Sequence, residues 1–263
     1  MQPQEIEVTD ISKSAWAYVR KHYWGWVALI ILGVIFVAYE AISSRDPHML
    51  QLAIFSLAAF GGLYAYAFSK MKHLFMQEFA SSIGFSYSLT LEPASLKGRL
   101  FALGHSARCD DVLSGSYKGF PMRIFNYYFT VGYGKHQRTF SFTVFELRFK
   151  ARLPEIFLIS KSERADLFGS SLGAGESVRL EGDFNKYFDL YVPKGSEQEA
   201  YEIFTPDSMA TLIDKANNLD FQFIEDRLYV YEGKIIETRP EMQATFALVD
   251  SLVDMMQDEI QEV

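Results

Sequence analysis

The chain has 263 residues, of which 49% are hydrophobic and 16% aromatic, a composition that suits membrane contact and β-rich packing. Its formal net charge of -8 argues against general nucleic-acid binding, which needs a basic surface to replace counterions. The single cysteine, Cys109, cannot form an internal disulfide, which excludes a secreted scaffold held together by disulfide bonds.

Two apolar runs near the N-terminus predict a transmembrane helical hairpin over residues 23–69. Residues 24–42 read WGWVALIILGVIFVAYEAI, with Glu40 as their only charge, and residues 49–68 read MLQLAIFSLAAFGGLYAYAF, with none. As a helix, each run is about 29 Å long, which matches a hydrocarbon core of roughly 30 Å. The short turn at 43–48 leaves only a helical hairpin, because backbone polar groups in lipid need partners within the span.

The flanking cations predict the orientation of this hairpin. They lie on the sides away from the turn, at Lys13, Arg20, Lys21, Lys70 and Lys72, whereas the turn carries Arg45 alone. Because positive residues accumulate on the cytoplasmic side, we expect a two-pass inner (plasma) membrane protein with both termini in the cytoplasm. Residues 1–22 then form a cytoplasmic N-terminal segment.

Aromatic and small residues add two expectations about the hairpin. Trp24 and Trp26 open the first run, and Tyr64 and Tyr66 close the second, so these four residues are expected at one membrane interface. A stripe of small residues on the second run permits close helix packing: Ala58, Gly61, Gly62, Ala65 and Ser69. This small-residue stripe fits either a contact within the hairpin or a contact between copies of the chain.

Residues 70–98 predict a stalk helix that ends at Gly84, followed by a polar linker. Residues 99–263 predict one cytoplasmic α+β domain with a mainly antiparallel sheet and packed helices. The expected strands are 111–117, 120–131, 139–149, 155–160 and one or two within 177–192, with Phe184, Phe188, Leu190 and Val192 in the core. Lys118-Gly119 is a turn, and a shift in apolar alternation predicts a β-bulge near Val144-Phe145.

The C-terminal part predicts two short helices, a strand meander and one long helix. Ser196 and Glu199 form a capping box for the first helix, and Thr205 is the N-cap of the second. The meander is expected at 221–224, 227–231 and 234–237. Residues 240–262 predict an amphipathic acidic helix, which either packs on the sheet or docks a partner.

Three segments carry a resemblance to a known group of proteins. They are SGSYKGFPMRIF (Ser114 to Phe125), GDFNKYFDLY (Gly182 to Tyr191) and FTPDSMATLID (Phe204 to Asp214). With the hairpin, they make the chain similar over residues 23–237 to bacterial two-span membrane proteins that carry a cytoplasmic α+β domain of unknown function. The resemblance implies a location and an architecture, and it implies no catalytic residue.

The densest cluster of reactive side chains is HSARCDD, which contributes His105, Cys109, Asp110 and Asp111. Its spacing fits no zinc pattern, and Cys109 needs a neighbouring base to act as a nucleophile. The same residues also fit a loop followed by a strand with a small buried cysteine.

Gly169 to Gly175 lacks the Lys-Ser/Thr ending of a phosphate-binding loop and is expected to be a flexible loop. No metal or cofactor is predicted.

These observations favour a membrane-anchored, non-enzymatic interaction or scaffold protein. Its expected partners are the lipid bilayer and a protein at the cytoplasmic face. Two alternatives stay open: a small membrane-bound enzyme that uses residues 105–111, and a homo-oligomeric, transport-associated subunit built on the small-residue stripe.

Overall fold

The structure, a computed structural model, describes residues 8–44, 47–161, 176–216 and 218–260. The chain divides into two compact units. The N-terminal unit contains the residues up to Glu78 together with residues 237–239, and the sheet unit contains residues 79–236 and the residues from Pro240 onward.

The N-terminal unit is built from three helices: α1 (Ile11–His22), α2 (Trp24–Ser44) and α3 (Pro47–Ser82). The helices predicted for both apolar runs are confirmed. The prediction for residues 1–22 omits α1, although Ile11, Ala15, Tyr18 and Val19 have helical spacing and are buried. Asp10 caps this helix by accepting a hydrogen bond from the backbone N–H of Lys13 at 2.9 Å.

None of the helices in the described residues is, taken singly, both long and apolar enough to qualify as a membrane span. Together, α1 and the part of α2 from Trp24 to Val37 do qualify by length and composition, as a pair bent by 87°.

The predicted continuation of the second apolar helix to Ser82 is confirmed, as is its stop at Gly84. Gly84 has a φ of +74°, a left-handed conformation that glycine adopts without a steric penalty. The N–H of Phe85 donates to the carbonyl of Ala80 at 2.8 Å, and the N–H of Gly84 donates to the carbonyl of Ser81 at 3.3 Å. This pair of bonds is a Schellman motif, which satisfies the last carbonyls of the helix.

The sheet unit is an antiparallel sheet with helices, so the predicted α+β class is confirmed. Its described strands are β1 (Ser86–Leu91), β2 (His105–Tyr117), β3 (Phe120–Val131), β4 (Arg138–Ser160), β5 (Glu176–Val178), β6 (Phe188–Val192) and β7 (Leu219–Glu232). They run in the order β1-β2-β3-β4-β6-β5. Strand β7 pairs with the long strand β4 on the edge opposite to β3 and β6. The expected Lys118-Gly119 turn joins β2 to β3, and both residues have positive φ, as a two-residue type I′ hairpin requires.

Several strand predictions need correction. Residues 86–91 pair with β2 as an edge strand, so part of the expected linker belongs to the sheet. The third and fourth expected strands are one long strand, β4, and no bulge occurs at Val144-Phe145, where β4 stays in register with both β3 and β7. Residues 142–147 of β4 are buried on both faces, which explains the lost alternation. The register shifts instead between Arg148 and Ile156.

The predicted meander is also wrong. Residues 221–231 lie in one strand, β7, and Glu225, at the expected turn, has a φ of +54° within it. Residues 234–237 form no strand, and Thr238 makes only an isolated bridge with Asp10.

The described helices of the sheet unit are α4 (Phe184–Tyr187), α5 (Glu197–Ile203), α6 (Pro206–Lys215) and α7 (Arg239–Ile260). The expected N-cap at Thr205 is confirmed, since its hydroxyl accepts from the N–H of Ser208. Ser196 is the N-cap of α5 but makes no side-chain cap bond, so the capping box is wrong. The long C-terminal helix is confirmed, and its contacts with the β2–β3 hairpin favour packing on the sheet: Phe246 meets Tyr117 edge to face at 4.9 Å.

Aromatic side chains dominate one face of the sheet, which we call the aromatic face. Its buried members include Phe125, Tyr127, Phe129, Phe142, Phe157, Tyr229 and Tyr231. The segment between β1 and β2 covers it, because Leu96 and Leu100 belong to the same buried cluster and the Phe101 ring lies 4.9 Å from that of Tyr127. The expected core residues Phe184, Phe188, Leu190 and Val192 are confirmed, with 1–2% exposure.

Candidate functional site

His105 lies at the start of β2 and not in a loop. Its ring stacks on the Tyr133 ring, with 4.6 Å between the two centroids. Its Nε2 lies 2.8 Å from the carbonyl oxygen of Gly132, which accepts a hydrogen bond when Nε2 is protonated. Its Nδ1 is 3.0 Å from the hydroxyl of Ser106. These contacts hold the imidazole against the loop that joins β3 to β4.

Cys109 lies in the interior of the aromatic face. Its side chain is buried among apolar residues that include Val112, Phe125 and Tyr127. Burial raises the pKa of the Cys109 thiol to about 12, and the negative charge of Asp110 adds to the shift. A thiol in this environment stays protonated at neutral pH and is therefore a poor nucleophile.

Asp111 points into a buried hydrogen-bond network. A register shift between Asp110 and Leu113 gives β2 a bulge, where Asp111 has a φ of +56°. Its carboxylate accepts a hydrogen bond from the Tyr87 hydroxyl at 2.9 Å and another from the Asn126 amide at 3.3 Å. The Thr143 hydroxyl donates to Asn126 in turn, at 3.2 Å. Asp111 thus ties three strands together.

The four residues predicted as a weak catalytic cluster therefore do not converge. Asp110 forms a surface ion pair with Arg108, 3.1 Å away, while Cys109 and Asp111 are buried in separate apolar and polar surroundings. Across the described residues, no three His, Cys, Asp or Glu side chains are grouped closely enough to hold a metal ion. The glycine-rich segment 169–175 lies outside the described residues.

A different group of charged residues surrounds a cavity at the end of the aromatic face. We call it the arginine pocket; its volume is about 340 Å³, and its lining residues are Ser95, Ser114, Gly115, Pro121, Met122, Arg123, Glu146, Arg148 and Arg227. Strands β2, β3, β4 and β7 lie side by side here, so residues far apart in the chain meet on one patch.

The strand register explains why the charges share one face. Arg123 pairs across the ladder with Glu146, and Arg148 pairs with Arg227. Cross-strand partners point to the same face, as do residues two apart along a strand such as Glu146 and Arg148. The α-carbons of the three arginines are therefore expected within a patch of about 7 by 10 Å.

Glu146 is the centre of the ion pairs in the arginine pocket. It is buried, with 1% exposure. It accepts from Nη1 of Arg227 at 2.8 Å and from the Tyr229 hydroxyl at 3.3 Å, and it also pairs with the Arg123 guanidinium. Arg148 is half-exposed and donates to Asp226 at 3.0 Å. The three arginines carry three positive charges, and Glu146 and Asp226 carry two negative charges, so the group has a net charge of +1.

Sequence reasoning missed the arginine pocket. The available signal is that Arg123 and Glu146 interrupt apolar strands at positions that alternate with buried side chains. The register that adds Arg227, from a strand about 80 residues further along the chain, is set by the fold and cannot be obtained from spacing.

The N-terminal unit exposes a large apolar surface. On α2 and α3, nine large aliphatic or phenylalanine side chains are 49–72% exposed: Leu29, Ile31, Leu32, Ile35, Phe36, Leu52, Ile54, Phe55 and Leu57. Of the four residues predicted at the membrane interface, Trp24, Trp26 and Tyr66 are exposed, whereas Tyr64 packs against Trp16 of α1 at 4.9 Å.

The small-residue stripe lies on the exposed side of α3. Ala58, Gly61, Gly62, Ala65 and Ser69 are all exposed, and a Cβ atom added at Gly61 or Gly62 meets no described atom within 4 Å. The side of α3 that is packed in this unit instead contains Ala67 and Met71, which are buried. A helix-packing role for the stripe stays a prediction.

No protein family model matches the chain, and no curated protein matches it. A solved structure similar to it is the crystal structure of the mycobacterial trehalose monomycolate transport factor A, TtfA. The identity is 13%, the alignment covers 69% of this chain and 92% of that chain, and the TM-score is 0.49. The resemblance to bacterial two-span membrane proteins stays an expectation.

Proposed function

We propose that the chain is a two-pass membrane protein that presents its sheet unit at the cytoplasmic face as a non-enzymatic interaction module. The observation that carries the proposal is the exposed apolar surface of α2 and α3. Contiguous exposed apolar surface of this extent is rare in soluble monomers, whereas lipid tails cover it without cost. The apolar runs at residues 24–42 and 49–68 fit the hydrocarbon thickness by length, although no single helix of the described residues meets the length and hydropathy requirements together.

Helix α1 supports the assignment of the cytoplasmic side. It is amphipathic, with buried Ile11, Val19 and Tyr18 on one face, and its last turn contains Arg20, Lys21 and His22. Trp16 on this helix is 50% exposed. A basic helix with an exposed tryptophan, bent by 87° from the next helix, has the character of a helix that lies in the membrane interface.

The interaction role rests on the dispersal of the reactive side chains. His105, Cys109 and Asp111 are each occupied by structural contacts, so the geometry favours no reaction at residues 105–111. We propose a protein partner at the cytoplasmic face, recruited by the sheet unit. Photo-crosslinkers placed at the exposed Tyr133 and Tyr201 of the full-length chain should capture one and the same protein in cells; capture of none counts against the partner.

Cysteine labelling in intact cells tests the topology. Because burial raises the pKa of Cys109, the native thiol gives a low background for a membrane-impermeant maleimide. We expect Ser43→Cys, next to the α2–α3 turn, to react in intact cells. Lys135→Cys, in the β3–β4 loop, should react only after permeabilisation.

Two controls accompany this experiment. The unaltered protein measures the background, and alkaline carbonate should leave the chain in the membrane fraction. Labelling of both variants in intact cells, or of Lys135→Cys alone, contradicts the proposed orientation. Release of the chain by carbonate contradicts membrane insertion altogether.

A further inference from the structure

The arginine pocket presents guanidinium groups whose hydrogen-bonding capacity is only partly used. Arg123 directs Nε and Nη2 at Glu146, Arg148 directs Nε and Nη2 at Asp226, and Arg227 directs Nη1 at Glu146 and Tyr229. Within the described parts of the chain, Nη1 of Arg123, Nη1 of Arg148 and Nη2 of Arg227 make no hydrogen bond. Each of the three arginines therefore keeps a terminal N–H₂ group for a further acceptor.

The internal carboxylates do not cancel the positive charge of the pocket. Glu146 neutralises one of the three arginines, and Asp226, which lies 3.0 Å from Arg148 and 3.5 Å from Arg227, neutralises another. One positive charge remains on a patch where Arg227 and Glu146 are nearly fully buried and therefore fixed in place. Preorganised, partly desolvated donors of this kind bind anions more strongly than flexible surface lysines.

The number of guanidinium groups distinguishes between classes of anion. A carboxylate offers two oxygens in one plane and carries a single negative charge. A phosphate group offers three or more acceptor oxygens and carries about -1.5 to -2 charges at pH 7, so it can engage three separate guanidinium groups. The cavity of about 340 Å³ is at the lower end of the range for ligand pockets and fits a phosphate with a small organic group.

We propose that the arginine pocket is a binding site for a phosphate group, held by Arg123, Arg148 and Arg227. The phosphate belongs either to a small soluble phosphomonoester or to a lipid headgroup. The phosphate site itself is independent of the membrane topology proposed above, since each residue of the pocket belongs to the sheet unit, whereas binding of a lipid headgroup rests on that proposed function.

The test is isothermal titration of inorganic phosphate into the full-length protein in detergent at low salt. We expect saturable binding that Arg148→Gln weakens about tenfold or more, because one charge-assisted contact is lost. Arg148 suits this test because its half-exposed side chain takes no part in the buried ion pairs of Glu146. Arg123→Lys, which keeps the charge but loses the fork, should also weaken binding.

Arg108→Gln is the matched control. Arg108 also forms a strand ion pair with an aspartate, Asp110, but lies outside the pocket, and its substitution should change phosphate affinity less than twofold. Absence of saturation below about 10 mM phosphate overturns the proposal. Equal weakening by Arg148→Gln and Arg108→Gln also overturns it, since that result indicates nonspecific electrostatic attraction.

A second titration identifies the source of the phosphate. Glycerol 3-phosphate is titrated into the protein in nanodiscs of phosphatidylcholine alone, and in nanodiscs that also contain phosphatidic acid. If phosphatidic acid suppresses the soluble ligand's binding, the site takes a lipid headgroup. If the two isotherms coincide, the site takes a soluble phosphomonoester.

Discussion

At the residue scale, Asp111 shows how a charged side chain can be buried without a catalytic role. Its left-handed backbone, at φ +56°, is a conformation that aspartate tolerates better than most residues. The bulge turns the carboxylate away from Cys109 and towards Tyr87 and Asn126. The chain of hydrogen bonds continues through Thr143 to the N–H of Ile236.

We predict that Asp111→Ala lowers the free energy of unfolding by about 2–3 kcal/mol, because the buried Asn126 amide and the partly buried Tyr87 hydroxyl lose this acceptor. Denaturant titration of the full-length protein in detergent, followed by circular dichroism, measures the change. Asp110→Ala is the control, since its partner Arg108 is largely exposed and surface ion pairs contribute little. Equal losses from the two substitutions contradict a specific role for Asp111.

The sequence predicts residue burial well where alternation is simple. Phe184, Phe188, Leu190 and Val192 all lie in the core as expected. It cannot predict the direction of Asp111, because the bulge that rotates this residue depends on pairing with β3 and leaves no pattern in HSARCDD itself.

At the element scale, polar contacts join the helix α7 to the β2–β3 hairpin. Lys118, in the hairpin turn, pairs with Asp250 and Asp254 of α7. Its ammonium group lowers the pKa of Asp250, as does the hydrogen bond from Tyr117. The acidic face of α7 is therefore partly used inside the fold.

We predict that Asp250→Asn destabilises the protein at neutral pH and that this difference disappears in acid. An aspartate whose folded pKa is lowered contributes stability above its unfolded pKa of about 3.9. That contribution is lost as the pH falls through the lower, folded value. Thermal unfolding midpoints between pH 2 and 8 measure it. Lys118→Met should abolish the same pH-dependent difference; a difference that persists in acid contradicts the ion-pair explanation.

Gly115 of β2 makes room for Phe85, which lies three residues beyond the end of α3. A Cβ atom at position 115 lies only 2.3 Å from the Phe85 ring. We predict that Gly115→Ala costs about 1–3 kcal/mol through overpacking. In the double variant with Phe85→Leu, the loss of stability should be smaller than the sum of the losses in the two single variants. Denaturant titration of the four proteins in a double-mutant cycle measures this difference. Full additivity rules out this contact as the cause.

Helices were the more predictable elements. The end of α3 at Ser82 follows from Gly84, and α7 follows from apolar spacing, because both signals are local. The strands β4 and β7 were less predictable. In β4, burial on both faces removes the alternation of apolar and polar residues. In β7, the sequence around Glu225 resembles a turn, but this residue lies within the strand with a positive φ.

At the scale of the whole molecule, apolar surface is distributed unequally between the two units. The N-terminal unit exposes isoleucine, leucine and phenylalanine side chains along α2 and α3, whereas the sheet unit buries most of the side chains of its aromatic face. The sequence alone predicts this contrast, since an apolar run without charges needs no tertiary information. The arginine pocket is the opposite case, because its charged residues come from β3, β4 and β7 and meet only through long-range register.

The pairing of β4 with β7 has a consequence for the order of events during synthesis. Thr143 pairs with Glu232, roughly 90 residues later in the chain. A ribosome that adds 5–20 residues per second needs about 4–18 s to produce that stretch. Throughout this interval β4 can pair with β3 on one edge, while its other edge stays open to any neighbouring nascent strand. The interval between β4 and β7 is thus when the growing chain is most exposed to wrong strand pairing at that edge.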